Sequence, residues 1–320
     1  MVAETYNDVA TYMQAKNVTL VAKSSGYDVK KEAADGFVKR GEEVTFTITT
    51  TFPSFTVADS EDNTFKIIDT PTGLDIQEIT SVKIGDTSLK ANEGYTTNKA
   101  DDGKYTIEFT KNTIGTSNTN AGKKVEVQYK AIVTSEEGYT NTSRNETEMG
   151  KTEVKGYTGT ITLTKYAEDG KTILKGAEFK LYKATKDKVK EENSGVSALR
   201  FIKLGDGIYK LALADNEATS TDTLVAVNGT LTVKGLDEGT YWFEETKAPE
   251  GYSINVDGAS ATIKESKDKN VTVPTSLKDT KLSALPSTGG IGTTIFTIAG
   301  CLIMVTAAGL FFASRKRTNK

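Results

Sequence analysis

Residues Glu43-Val44-Thr45-Phe46-Thr47-Ile48-Thr49 alternate polar and apolar side chains and are rich in β-branched residues. A period of two puts every second residue on one face of an extended chain, so this stretch predicts a strand with one face buried. The pattern recurs downstream in Phe65-Lys66-Ile67-Ile68-Asp69, in Tyr105-Thr106-Ile107-Glu108-Phe109 and in the long run Val125-Glu126-Val127-Gln128-Tyr129-Lys130-Ala131-Ile132-Val133. Gly, Asn and Asp punctuate the gaps. Several short strands separated by turn signals predict a β-sandwich over residues 24–150.

A second series follows. Thr160-Ile161-Thr162-Leu163-Thr164-Lys165, Ala177-Glu178-Phe179-Lys180-Leu181-Tyr182, Gly207-Ile208-Tyr209-Lys210-Leu211, Gly229-Thr230-Leu231-Thr232-Val233, Gly239-Thr240-Tyr241-Trp242-Phe243-Glu244-Glu245 and Asn270-Val271-Thr272-Val273-Pro274-Thr275 carry the same alternation. They predict a second all-β domain over residues 151–280. Residues 281–290 read as a linker. Residues 1–23 contain short apolar patches with no room to bury them and read as the remnant of a larger N-terminal domain.

Composition narrows the chemistry. The chain has 320 residues and a formal net charge of −3, too balanced for a nucleic-acid binder. It contains no His, which removes His-based acid–base chemistry, Ser-His-Asp triads and His-containing metal sites. The single Cys301 lies in the C-terminal apolar run, so the outer region forms no disulfide. No metal, cofactor or enzymatic turnover is expected.

The C-terminus sets the location. Leu285-Pro286-Ser287-Thr288-Gly289 precedes an uncharged apolar run over residues 291–313, and Arg315, Lys316, Arg317 and Lys320 follow over residues 314–320. An apolar run of that length predicts a transmembrane helix, and the basic residues predict a cytoplasmic tail. The arrangement resembles the cell-wall sorting signal of Gram-positive surface proteins. That resemblance implies a sortase that cuts between Thr288 and Gly289, holds the Thr288 carbonyl as a thioester and passes it to an amine. It predicts a secreted, cell-wall-anchored protein. Met1-Val2-Ala3-Glu4-Thr5 has neither the basic start nor the apolar core of an export signal, so the true N-terminus is expected to lie upstream.

Other blocks resemble known modules. Leu163-Thr164-Lys165, Leu174-Lys175-Gly176-Ala177-Glu178-Phe179 and Tyr241-Trp242-Phe243-Glu244-Glu245-Thr246-Lys247-Ala248-Pro249-Glu250-Gly251-Tyr252 are similar to the collagen-adhesin B-type domain and its E-box. Val29-Lys30-Lys31, Gly41-Glu42-Glu43-Val44, Ile68-Asp69-Thr70-Pro71-Thr72-Gly73-Leu74 and Gly138-Tyr139-Thr140-Asn141-Thr142 resemble the middle domain of sortase-assembled fimbrial shaft subunits. The implied architecture is two tandem immunoglobulin-like or B-type β-sandwiches followed by the C-terminal helix.

These families imply an internal Lys–Asn isopeptide assisted by a buried carboxyl. Burial disfavours charge, so a neutral amine and a protonated acid become accessible together. In the first domain the resemblance and strand alternation assign Lys31 as nucleophile, Asp69 as catalytic acid and Asn141 as acceptor, with Asn145 on the same face as the alternative. In the second domain Lys165 and Glu245 match. The resemblance puts the acceptor position at Thr275, which cannot form the amide, and Asn270 is the fallback. The second bond is therefore expected to be absent.

The resemblance further implies a covalent pilus. Asn17-Val18-Thr19-Leu20-Val21-Ala22-Lys23-Ser24-Ser25 is similar to the segment that supplies the polymerising Lys, so Thr288 of one subunit is expected to join Lys23 of the next. The implied partners are a sortase, identical subunits and peptidoglycan, with a host-surface ligand left open. The rivals are a non-polymerised wall-anchored adhesin stalk and a surface-anchored enzyme.

Overall fold

The computed structural model describes residues 28–54, 64–115, 119–146, 150–214, 217–282 and 292–317. Ten strands build the first sandwich: β1 (Lys30–Ala33), β2 (Glu43–Thr51), β3 (Lys66–Thr72), β4 (Leu74–Ile84), β5 (Thr87–Ser88), β6 (Tyr95–Lys99), β7 (Tyr105–Phe109), β8 (Lys124–Val133), β9 (Tyr139–Asn145) and β10 (Thr152–Gly156), with a short helix α1 (Lys111–Ile114) after β7. Nine build the second: β11 (Gly159–Ala167), β12 (Ala177–Tyr182), β13 (Phe201–Gly205), β14 (Ile208–Leu211), β15 (Leu224–Ala226), β16 (Thr230–Leu236), β17 (Gly239–Lys247), β18 (Ala259–Ile263) and β19 (Val271–Asp279), with α2 (Lys186–Lys190) after β12.

In the first sandwich, sheet order β1-β2-β8-β4-β5 faces sheet order β10-β9-β3-β7-β6. Alternation decides which residues meet between them. Val44, Phe46 and Ile48 of β2 and Val125, Val127, Tyr129, Ala131 and Val133 of β8 are all buried, while the residues between them point outward. Phe46 stacks on Tyr129 with ring centroids 5.2 Å apart and meets Tyr139 edge-on at 5.4 Å. Each such buried aromatic contributes roughly 2–3 kcal/mol of apolar burial. Strand β10 pairs with β9, so this sandwich extends past residue 150 to Gly156.

The second sandwich faces sheet β13-β14-β16-β11-β19 against β15-β12-β17-β18. The first and last strands, β11 and β19, lie side by side and run parallel, with Lys165 level with Leu277 and Ala167 level with Asp279. Phe179, Tyr241 and Phe243 fill the core between the sheets.

The two sandwiches are joined through a polar seam rather than a loose linker. Arg40 is buried, and its guanidinium donates to the Thr134 carbonyl at 2.8 Å on one side and to the Leu211 carbonyl at 2.6 Å on the other. The Thr158 hydroxyl donates to the Glu136 carbonyl at 2.7 Å, and Lys234 pairs with Glu137 at 2.7 Å. Gly41 has φ +87°, and a Cβ there would stand 2.8 Å from the Leu213 carbonyl oxygen. The close approach of the domains thus requires glycine at that position.

A third helix, α3 (Gly292–Arg317), follows the sandwiches. It runs along the apolar stretch of residues 291–313; among the described residues no helix is long and apolar enough to cross a membrane.

Candidate functional site

Each sandwich buries one lysine against carboxylates. In the first, Val29 and Lys31 point into the core while Lys30 points out, because β1 pairs antiparallel with β2 and places Lys31 opposite Ile48. On the facing sheet, β3 and β9 pair so that Asp69 lies opposite Ser143, Pro71 opposite Asn141 and Ile67 opposite Asn145. The inward face of β9 is Tyr139, Asn141, Ser143 and Asn145, all buried. Lys31 comes from one sheet and Asp69 and Asn141 from the other.

The Lys31 amine donates to Asp69 Oδ1 and, at 3.0 Å, to the Ser143 hydroxyl. Ser143 donates in turn to Asp69 Oδ1 at 2.6 Å. The other carboxylate oxygen accepts the Tyr129 hydroxyl at 2.5 Å, and that hydroxyl accepts Asn141 Nδ2 at 2.7 Å. The chain of contacts therefore runs from amine to acid to phenol to amide. Asn141 Oδ1 is buried with no hydrogen-bond partner among the described residues. A buried amide oxygen left unpaired is costly.

The electrostatics suit a nucleophile. The amine sits 5.2 Å from the Phe46 ring centre and 5.3 Å from that of Tyr129. Loss of water around it brings the Lys31 pKa down to about 8, against the opposing attraction of Asp69. Burial and the neighbouring Asp69 push the Tyr129 phenol upward, so it stays protonated and donates.

In the second sandwich, Lys165 shares the inward face of β11 with Ile161 and Leu163, and its side chain is 0% exposed. Its amine contacts Asp279 Oδ1 and lies 2.9 Å from Glu245 Oε1. Glu245 is held by the Asn255 backbone N–H, which donates to Oε2 at 2.8 Å. Desolvation pushes the Glu245 carboxyl above its usual range, against the pull of Asn255 and Lys165.

The structure does not bring Thr275 or Asn270 to Lys165. Thr275 is half-buried on the inward parity of β19, level with Leu163, and its hydroxyl donates to the Ser260 carbonyl at 2.9 Å. Asn270 belongs to the domain seam, where its Oδ1 accepts from Thr158 N at 2.9 Å and its Nδ2 donates to the Glu137 carbonyl at 3.1 Å. The residue that reaches Lys165 is Asp279, two residues past Leu277 on the same inward face. Sequence reasoning ended this strand at Thr275 and so missed it. The alternation Val271, Val273, Thr275, Leu277, Asp279 carried the signal. Ser143 was legible in the same way, from its parity with Asn141. Tyr129 gave no signal beyond being a core aromatic. Lys23 and the motif Leu285, Pro286, Ser287, Thr288, Gly289 lie outside the described residues.

Comparison with known proteins agrees with this architecture. Residues 159–277 match the SpaA prealbumin-like fold domain, and residues 278–320 match the LPXTG cell wall anchor motif. The chain is 29% identical over 173 residues to the fimbrial subunit type 1 of Actinomyces viscosus, an alignment covering 50% of this chain and 32% of that protein. The chain thus spans about a third of that relative's length. In fold it is similar to the pilus 2b backbone protein of group B streptococcus (TM-score 0.55, 19% identity, 80% of this chain and 99% of that one). It is similar also to the pilus backbone protein RrgB of Streptococcus pneumoniae (TM-score 0.53, 12% identity, 80% and 100%). The second sandwich thus matches a SpaA prealbumin-like domain and the C-terminus an LPXTG anchor motif, and the anchor match supports a secreted, cell-wall-anchored surface protein.

Proposed function

We propose that this chain is the shaft subunit of a covalently polymerised pilus, with a first sandwich that closes on itself through a Lys31–Asn141 amide. The observation that carries the clamp is the Lys31 amine held on Asp69 inside the core, linked through Tyr129 to an Asn141 amide whose oxygen has no partner among the described residues. The neutral amine attacks Asn141 Cγ. A proton leaves the lysine nitrogen, Asp69 relays a proton to Nδ2, and ammonia departs. The positions of the shared protons belong to the Lys31–Asp69 pair as a unit. The step happens once per molecule and regenerates no catalyst, so it is maturation rather than turnover.

Assembly uses the C-terminal motif. A sortase cuts between Thr288 and Gly289, and the Thr288 carbonyl passes to Lys23 of the next subunit or to peptidoglycan. The LPXTG anchor match and the fimbrial relative support this reading. The test is a strain carrying Lys23→Ala. Loss of the covalent ladder in wall extracts supports head-to-tail linkage. A ladder that persists sinks Lys23, and a parent strain with a single band favours the non-polymerised adhesin stalk.

A further inference from the structure

We infer that the free end of the second sandwich is a docking surface for a second copy of this chain, and that it receives the segment Val18-Thr19-Leu20-Val21-Ala22 of the subunit joined to it. The inference rests on the linkage of Thr288 to Lys23 proposed above and says where the linked segment then lies.

The surface is built by one loop and the chain leaving the domain. Strand β17 ends at Lys247, β18 begins at Ala259 and β19 ends at Asp279, so residues 248–258 and 280–282 meet at the end of the sandwich opposite the seam. Ile254, Val256 and Leu282 stand there 47%, 74% and 57% exposed. Among the described residues of the first sandwich, no Val, Ile, Leu or Phe is exposed to that degree.

The loop is pinned. The Ser253 N–H donates to the Thr280 carbonyl at 3.1 Å, and the Leu282 N–H donates to the Gly251 carbonyl at 2.9 Å. Between Ile254 and Val256, Asn255 donates through its backbone N–H to Glu245 at 2.8 Å and through Nδ2 to the Lys278 carbonyl at 2.7 Å. With Asn255 held on both counts, the apolar side chains on either side of it are kept in solvent. Apolar side chains grouped this way mark a contact surface, and a partner finds them already ordered.

Distance along the chain selects the partner. Thr288 is six residues beyond Leu282, so its join to Lys23 lies within about 20 Å of the surface. Val21 and Leu20 are the second and third residues before that lysine. The described strands begin at Lys30, and neither core includes residues 18–22. Apolar residues outside both cores are thus delivered to an apolar surface that the described residues leave open. So small a patch does not hold two free molecules together. The covalent join supplies what it lacks: a short tether raises the local concentration of the segment to the order of mM, where a weak contact is occupied.

The test is hydroxyl-radical footprinting of the chain as wall-released polymer, beside the unpolymerised full chain from a strain lacking sortase activity. Labelling of Ile254, Val256 and Leu282, and of Leu20 and Val21, should fall several-fold in the polymer. Leu204 and Ile208, exposed on β13 and β14 at the other edge of the sheet from β19, should label equally in both. Undiminished labelling in a polymer that shows its covalent ladder overturns the docking and leaves the linkage standing. A parent strain with no ladder removes the linkage, and the docking falls with it. Weak labelling already in the unpolymerised chain means that the surface is covered without linkage, and labelling lost only on phosphatidylglycerol vesicles assigns it to lipid; either result overturns the proposal. Val256→Asp, on an exposed loop and clear of the linked lysine, should keep the ladder and restore the labelling of Leu20 and Val21. Protection of that segment that survives Val256→Asp combined with Ile254→Asp overturns the contact.

Discussion

The Tyr129 hydroxyl donates to Asp69 Oδ2 at 2.5 Å while accepting from the Asn141 amide, so one phenol ties the buried acid to the carboxamide of the proposed clamp. Tyr129→Phe keeps the stack on Phe46 and removes only the hydroxyl. The variant should fold, and ammonia loss should lag well behind the parent when followed by intact mass after rapid purification. Ammonia loss at the parent rate would show that the phenol only fills space.

Asn141→Ala should abolish the ammonia loss outright. The amide closes a loop of roughly 100 residues, and by the loop-entropy argument used for disulfides its removal costs about 4 kcal/mol. For a domain of this size that corresponds to a melting transition lower by about 10–20 °C. Differential scanning calorimetry checks it. An unchanged transition would mean the first sandwich holds together without the bond.

Asp69→Ala combines two effects. The relay is lost, so no ammonia should leave, and Lys31 remains buried without its counter-ion. Removing one partner of a buried pair costs about 3–5 kcal/mol. The variant should therefore be less stable than Asn141→Ala, measured by urea denaturation. Equal stability of the two would place water beside Lys31.

The unlinked Asn141→Ala protein should show a distinct pH response. Burial holds Lys31 at about 8, below its ordinary 10.5, so between those values the unfolded chain binds more protons than the folded one. The Lys31 contribution to stability therefore rises as pH climbs through that window and is flat below it. Adding Lys31→Met should remove the rise. A slope that survives the second substitution belongs to another group.

Arg40 joins the domains through two carbonyls, Thr134 on one side and Leu211 on the other. Arg40→Ala leaves these acceptors poorly satisfied, at about 1–3 kcal/mol each. Because the contacts lie at the seam, the joint should loosen more than either core. Small-angle scattering should show a broader range of lengths, with both melting transitions near those of the parent.

Much of this was legible from alternation. The period of two in β2, β8 and β11 fixed which residues turn inward, and an inward Lys165 beside Ile161 and Leu163 marks a residue put to use. What alternation does not supply is where a strand stops and which strand lies beside it. Pro274 and Thr275 read as the end of a strand, yet an edge strand tolerates proline, and β19 runs on to Asp279. Asp279, the partner of Lys165, therefore lies at a position that the sequence reading left outside the strand. Tyr129 shows the other limit: a polar tip on a core aromatic becomes meaningful only once the facing sheet puts Asp69 against it.

The parallel neighbours β11 and β19 decide the route that tension takes. A pull on a chain of such subunits enters the second sandwich at Gly159 and leaves beyond Asp279. With the proposed Lys31–Asn141 amide in place, tension in the first sandwich runs from Val29 to Lys31, crosses to Asn141 and follows the backbone into the seam. The residues between Lys31 and Asn141 then carry none of it. Their strands need only fold, not resist extension, and a filament built this way lengthens by no more than its seams and linkers allow.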